Sequence, residues 1–217
     1  MTILLQEATL PPADLVDVRV PAFMTEIVAE LSQQARESTQ INQRSGVSVR
    51  LSVSNYEAMV ANAVRRTLQA GEQVAVPRIV DLAAIAATTS GKIEVESFED
   101  GGEGRVIDAL VRSSVHTVFV DSVDPTLHGP IVEAFEDGST VEVGADLAAG
   151  DYAGLLDRIP ALVPAVDALL ADDPMGTQSD TSAVKASAVE LVLEGLHLGK
   201  RLNKNVHGGQ AQYRSRS

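Results

Sequence analysis

The strongest constraint on this chain is the spacing of its apolar residues, which repeats at three and four over much of its length. Phe23, Ile27, Leu31 and Ala35 recur every fourth position, with Met24 and Val28 on the same face and Glu26, Glu30, Gln33 and Glu37 opposite. That is the period of an amphipathic helix, and Pro21 suits its first turn. Ser38 begins a polar stretch that should end it. A second helix is predicted from Val53, Tyr56, Val60, Ala63, Val64 and Leu68, with Asn55, Asn62, Arg66 and Gln69 on its polar side and Gly71 as its stop. Its start is open between Ser48 and the capping box at Ser54–Glu57. Val74 to Pro77 reads as extended, and a third helix runs from about Arg78 to Thr89.

The predicted fold is therefore mainly α, a helical bundle with short extended segments. An acidic extension should follow it. Lys92 to Glu96 alternates like a strand or an extended linker, and Glu99 to Gly104 reads as a boundary. Beyond it Val106, Leu110, Val111, Val115 and Val118 suit a helix, although so many valines also suit a strand. Thr140–Val143 is extended, and helices are expected over 155–159 and 160–170. Residues 172–182 read as a linker. The last helix, 183–203, carries a heptad-like seam of Val184, Ala188, Leu191, Gly195, Leu198 and Leu202. Such a seam suits a docking face, but Val189, Leu193 and Leu196 widen it towards a helix packed on its own domain. Residues 204–217 are predicted to be disordered.

Charge separates the regions more sharply than length does. The 217 residues carry a net charge of -13, partitioned as -1 over residues 1–93, -16 over 94–180 and +4 over 181–217. The acidic middle repels polyanions, which argues against nucleic acid as a partner. With 3% aromatic residues and no Trp there is little to stack bases or sugars on. The absence of Cys excludes disulfides, thiolate metal sites and cysteine nucleophiles. No apolar run is long enough to suggest a membrane span, and the N-terminus lacks the pattern of a signal peptide, so a cytoplasmic protein is expected.

The motifs that carry chemistry are few. Gly91-Lys92 and Gly199-Lys200 are the Gly-Lys pairs, and neither has the leading Gly or the following Ser/Thr of a phosphate loop. His116, His128, His197 and His207 include no pair at metal-binding helical spacing, so no metal site is predicted. No nucleophile elbow is present, and no catalytic residue is assigned. Phe-Glu-Asp-Gly occurs at 98–101 and at 135–138, best read as two Asp-Gly turns. Ser45-Gly46-Val47-Ser48-Val49-Arg50 is more suggestive. It places an arginine fork beside a helix start, where amide N–H groups of the same polarity can meet an anion.

Longer stretches give that arginine a context. Phe23 to Leu31, Ile41 to Ser52, Asn55-Tyr56-Glu57, Val76 to Ile79 and Gly91 to Glu94 resemble the C-terminal part of magnesium-chelatase-like AAA+ ATPases of the MoxR group. Leu191 to Lys204 resembles the end of the same proteins. The resemblance is good over residues 23–94 and 187–205 and vague in the acidic middle. In that family a helical lid follows the ATPase core, and Gly-x-Ser-x-Arg opens a lid helix with the sensor-2 arginine. Gly46-Val47-Ser48-Val49-Arg50 occupies that pattern, with Val49 where many members have Pro.

The resemblance implies a lid-like domain over 23–93, preceded by a remnant of the core (1–22), with Arg50 as the cofactor-binding residue. It also implies that the Walker motifs, sensor 1 and arginine finger belong upstream. The chain alone is then expected to bind neither ATP nor Mg and to lack ATPase activity. In the intact assembly both would be present, with the AAA+ core, neighbouring subunits and a von Willebrand A-domain protein as partners. The alternative reading is an ATP-independent helical adaptor that binds a protein through its terminal helix and acidic middle.

Overall fold

The structure, a computed structural model, describes residues 7–9, 16–42, 48–90, 92–95, 102–171 and 182–216. Helix α1 (Ala22–Glu37) begins after Pro21 and buries Phe23, Met24, Ile27, Val28, Leu31 and Ala35, the face its spacing predicts. Ser38 ends it by turning the backbone into an extended conformation. Helix α2 (Val49–Ala70) starts at the earlier of the two possible caps, because the Ser48 hydroxyl accepts the Arg50 N–H at 3.1 Å. Gly71, at φ 69°, closes it by returning its N–H to the Leu68 and Thr67 carbonyls. The polar side of α2 is not wholly a solvated face. Arg66 and Asn55 are buried, because the segments that follow fold back over them.

Those segments are strand β2 (Val74–Ala75), a 3-10 turn (Ile79–Leu82) and helix α3 (Ala83–Ser90). Strand β2 pairs in parallel with β1 (Asp17–Val18), so the lead into α1 is tied to the end of α2. Lys92 lies in a turn, and beyond it Val95 makes an isolated antiparallel bridge to Ile41.

Helix α4 (Gly102–Ser122) resolves the valine-rich stretch as helix and packs along α1. A 3-10 turn (Pro125–Leu127) and helix α5 (His128–Glu136) follow, elements that the apolar spacing does not predict. Then come strand β3 (Thr140–Gly144), helix α6 (Asp151–Arg158) and helix α7 (Val163–Ala171), entered through a 3-10 turn at Pro160–Leu162. The predicted linker, but for Ser182, lies outside the described residues.

Helix α8 (Ser182–Leu198) is the axis of the molecule. Every residue from Ala186 to Leu196 is buried, against α4, α6 and α7. Apolar residues lie on every side of it, which suits an interior helix, and its buried Glu190 and Glu194 are hydrogen-bonded to Tyr152 and Lys204; the heptad-like seam is thus packed within the chain. At Gly195 the absent Cβ makes room for Phe119 of α4: a Cβ there would stand 2.0 Å from the ring.

The expectation of a disordered tail is overturned. Strands β4 (Asn203–His207) and β5 (Gln210–Arg214) form a hairpin, and β5 pairs with β3 to give an antiparallel sheet in the order β3-β5-β4. Gly208 and Gly209, both at positive φ, make its two-residue turn. Tyr213, buried on α8, anchors it.

The boundary expected near residue 100 does not divide the core either. A single apolar cluster joins Phe23, Ile27 and Met59 to Phe119, Leu191 and Tyr213. The molecule is mainly helical with a small sheet. No helix among the described residues is long and apolar enough to cross a membrane.

Candidate functional site

Arg50 lies in the first turn of α2, exposed, where the helix dipole places partial positive charge. It lines an open depression of about 470 Å³ together with Glu7, Val49, Val53, Ser54 and Lys92. Lys92 reaches this place through local packing. Its N–H caps α3 on the Thr89 carbonyl at 2.9 Å, and the next residue, Ile93, is buried with Ala35, Ile41 and Leu51. Asn42 N–H, bonded to the Glu94 carbonyl at 2.8 Å, holds the same strand-like segment against the end of α1.

The structure therefore brings together two cations that are distant in sequence. Lys92 belongs to the Gly-Lys pair that fails as a phosphate loop, and no linear motif connects it with Arg50. Glu7 lines the same depression and offsets part of its charge. A guanidinium fork, an ammonium and a helix N-terminus can receive a polyanion such as a phosphate chain. Gly46 and Val47 lie outside the described residues, so the site is described from Ser48 onwards.

A second polar assembly is buried and joins α2 and the 3-10 turn after it to the acidic half. Arg66 is paired with Asp81, Nη2 to Oδ2 at 2.9 Å and Nε to Oδ1 at 3.3 Å, and also donates to the Val76 carbonyl. Asp81 further accepts the Arg78 N–H and Asn62 Nδ2, each at 2.9 Å. Arg78, 1% exposed, donates to the Leu147 carbonyl at 2.9 Å and stacks over Tyr152 with its guanidinium carbon 4.9 Å from the ring centroid. Its Nη2 is 3.9 Å from Glu72, close enough for attraction but too long for a hydrogen bond.

Glu190 on α8 completes this assembly. Its carboxyl bonds to Tyr152 OH at 2.5 Å and accepts the Val80 N–H at 3.2 Å. Burial raises its pKa, with Arg78 opposing the rise. Burial and the neighbouring Glu190 raise the Tyr152 phenol in turn. The residues fasten four segments to one another and are enclosed, which suits a structural clamp rather than a reaction centre.

The histidines do not converge. His128 stacks on Phe119 with centroids 4.9 Å apart, and desolvation, then the nearby Arg201, lower its pKa. His197 Nδ1 lies 3.2 Å from the Leu202 carbonyl. Among the described residues no group of three His, Asp or Glu is placed to hold a metal. Phe135 is buried and Gly138 takes a positive φ, so this Asp-Gly copy is an anchored turn. The copy at 98–101 lies outside the described residues. Comparison with protein-family models, with curated proteins and with solved structures finds no match to this chain.

Proposed function

We propose that this chain serves as the lid and C-terminal extension of a magnesium-chelatase-like AAA+ ATPase, with Arg50 directed at the nucleotide phosphates and Lys92 beside it. The observation that carries the reading is the exposed Arg50 fork at the capped start of a 22-residue helix, in a depression shared with Lys92. These groups can neutralise one end of a triphosphate. They cannot replace a phosphate loop, a magnesium site and a positioned water, all of which hydrolysis requires. The ATPase core would supply those, with this chain completing the site and transmitting its state. Neighbouring subunits and a von Willebrand A-domain protein are the partners this reading proposes.

The adaptor alternative has less to stand on, because the seam of α8 is buried within the chain and a protein partner would have to use another face.

The test is an amide-shift titration of the chain with ATP at low ionic strength, where reduced screening lets even the partial site, which alone is not expected to hold ATP under ordinary salt, bind weakly. Saturable shifts are expected at Val49 to Ser54 and at Lys92. Arg50→Ala should weaken them about fivefold, the ~1 kcal/mol scale of an exposed charge pair. Arg50→Lys should recover only part of the loss, having charge without the fork. Unchanged affinity in Arg50→Ala would remove Arg50 from the site.

A further inference from the structure

Strand β4 is an edge of the three-stranded sheet, with β5 on one side and no strand among the described residues on the other. It has no proline or bulge to block a further strand, its pairing with β5 running unbroken from Asn203 to His207. The charge of Lys204 is met beneath the sheet by Glu194, 2.7 Å from its Nζ. The two-residue turn makes His207–Gln210 a hydrogen-bonded pair, and alternation does the same for Asn205–Gln212 and Asn203–Arg214. The N–H and C=O groups of Lys204 and Val206 therefore point away from β5, along the open edge.

The same strand borders an apolar concavity of about 310 Å³, lined by α3, α4, α8 and the inner face of the sheet. Lys204 and Val206 share that face with Tyr213 and Ala211, and Val206 is 62% exposed there. Directly opposed residues of an antiparallel pair lie on one face. A strand added beside β4 would thus turn its residue opposite Val206 towards this apolar lining. Main-chain bonds then supply affinity, and the concavity selects the side chain.

Charge decides between occupants. From Gly195 to Ser217 there are five Lys and Arg residues and no Asp or Glu. Lys200, Arg201, Arg214 and Arg216 are exposed. Arg214 stands opposite Asn203, and Lys200 and Arg201 precede it, so the cations gather at the Asn203 end of β4. Asp108 and Arg112 at the concavity are 3.9 Å apart and offset one another. A second copy joined edge to edge would set one cationic hairpin against another, whereas an acidic segment is attracted.

We infer that β4 is a docking edge for an acidic extended peptide, which adds antiparallel as a fourth strand, places an apolar residue beside Val206 and turns carboxylates towards Lys200, Arg201 and Arg214. Docking here is independent of the Arg50 site.

Titration of the full chain with acetyl-Glu-Leu-Glu-Val-Glu-Glu-amide, followed by amide shifts and hydrogen exchange, tests it. Saturable shifts are expected at Lys204, Val206 and Val111, with slowed exchange of the Lys204 and Val206 amides. N-methylation of the peptide's Leu and Val removes the donors that face β4 and should weaken binding about tenfold, as should replacing every Glu by Lys. Val206→Glu, a change at an exposed position, should weaken binding by a similar factor and leave the hairpin's own exchange protection intact. The docking edge is ruled out if the peptide gives no saturable shift, if the N-methylated or the Lys peptide binds as tightly, or if Val206→Glu leaves affinity unchanged. Concentration-dependent shifts of the same amides without peptide would also overturn it, by giving the edge to a second copy.

Discussion

Asp81 shows how a single buried carboxylate can organise this chain. It is fully buried and takes hydrogen bonds from Arg66, Asn62 and the Arg78 N–H. Removing one partner of such a pair leaves an uncompensated buried charge. Asp81→Asn should therefore cost about 3–5 kcal/mol in urea unfolding; a loss below about 1 kcal/mol, the range of solvated surface pairs, would mean that Arg66 finds another partner. None of this was legible from spacing. Arg66 falls on the polar side of α2, and periodicity cannot tell a solvated arginine from one awaiting a carboxylate further along. Glu190 gives a second prediction. Its folded pKa lies above the ordinary 4.5, so its contribution is complete below that value and is lost as pH rises through the folded pKa. Glu190→Gln removes this titration while keeping the shape, and the mutant should gain stability relative to wild type as pH rises above the ordinary carboxyl range. Parallel stability curves above that range would contradict the assigned direction.

At the scale of elements, the long helices were readable because their apolar faces meet other helices. Spacing located α1 and α2, and capping chemistry left two starts for α2 that only the Ser48 hydrogen bond separates. The hairpin of β4 and β5 was missed because its residues are mostly polar and amide-rich, which reads as an unstructured tail. A signal was nevertheless present. Gly208-Gly209 between Val206 and Ala211 is the kind of pair a two-residue hairpin turn demands, and both residues adopt positive φ. Gly209, at φ 86°, tests the point. Gly209→Val forces a β-branched side chain into a left-handed conformation, and should abolish slow hydrogen exchange along β5 while α1 and α2 stay protected. Undiminished protection of β5 would show that the hairpin does not depend on this turn.

For the whole molecule, the charge partition proved real as composition but did not mark a structural division. The acidic residues of α4 to α7 largely face outward, while the apolar faces of the same helices join the core that α1 and α2 begin. The Arg66–Asp81 pair, Arg78 and Glu190 tie the two halves together, so movement of α1 to α3 should carry the acidic half with it. The cationic depression lies on the near-neutral half, where a polyanion meets the least repulsion. Its arginine was legible in the sequence as a helix-start arginine with a family resemblance; its lysine was not, since only the turn after α3 brings it near. The central claim is that Arg50 acts on a nucleotide held by a separate ATPase core. Its most direct test is magnesium-dependent ATP turnover by a magnesium-chelatase-like core reconstituted with this chain, comparing wild type with Arg50→Ala. The account predicts stimulated turnover with wild type and a loss of that stimulation with Arg50→Ala; equal rates for the two would contradict it.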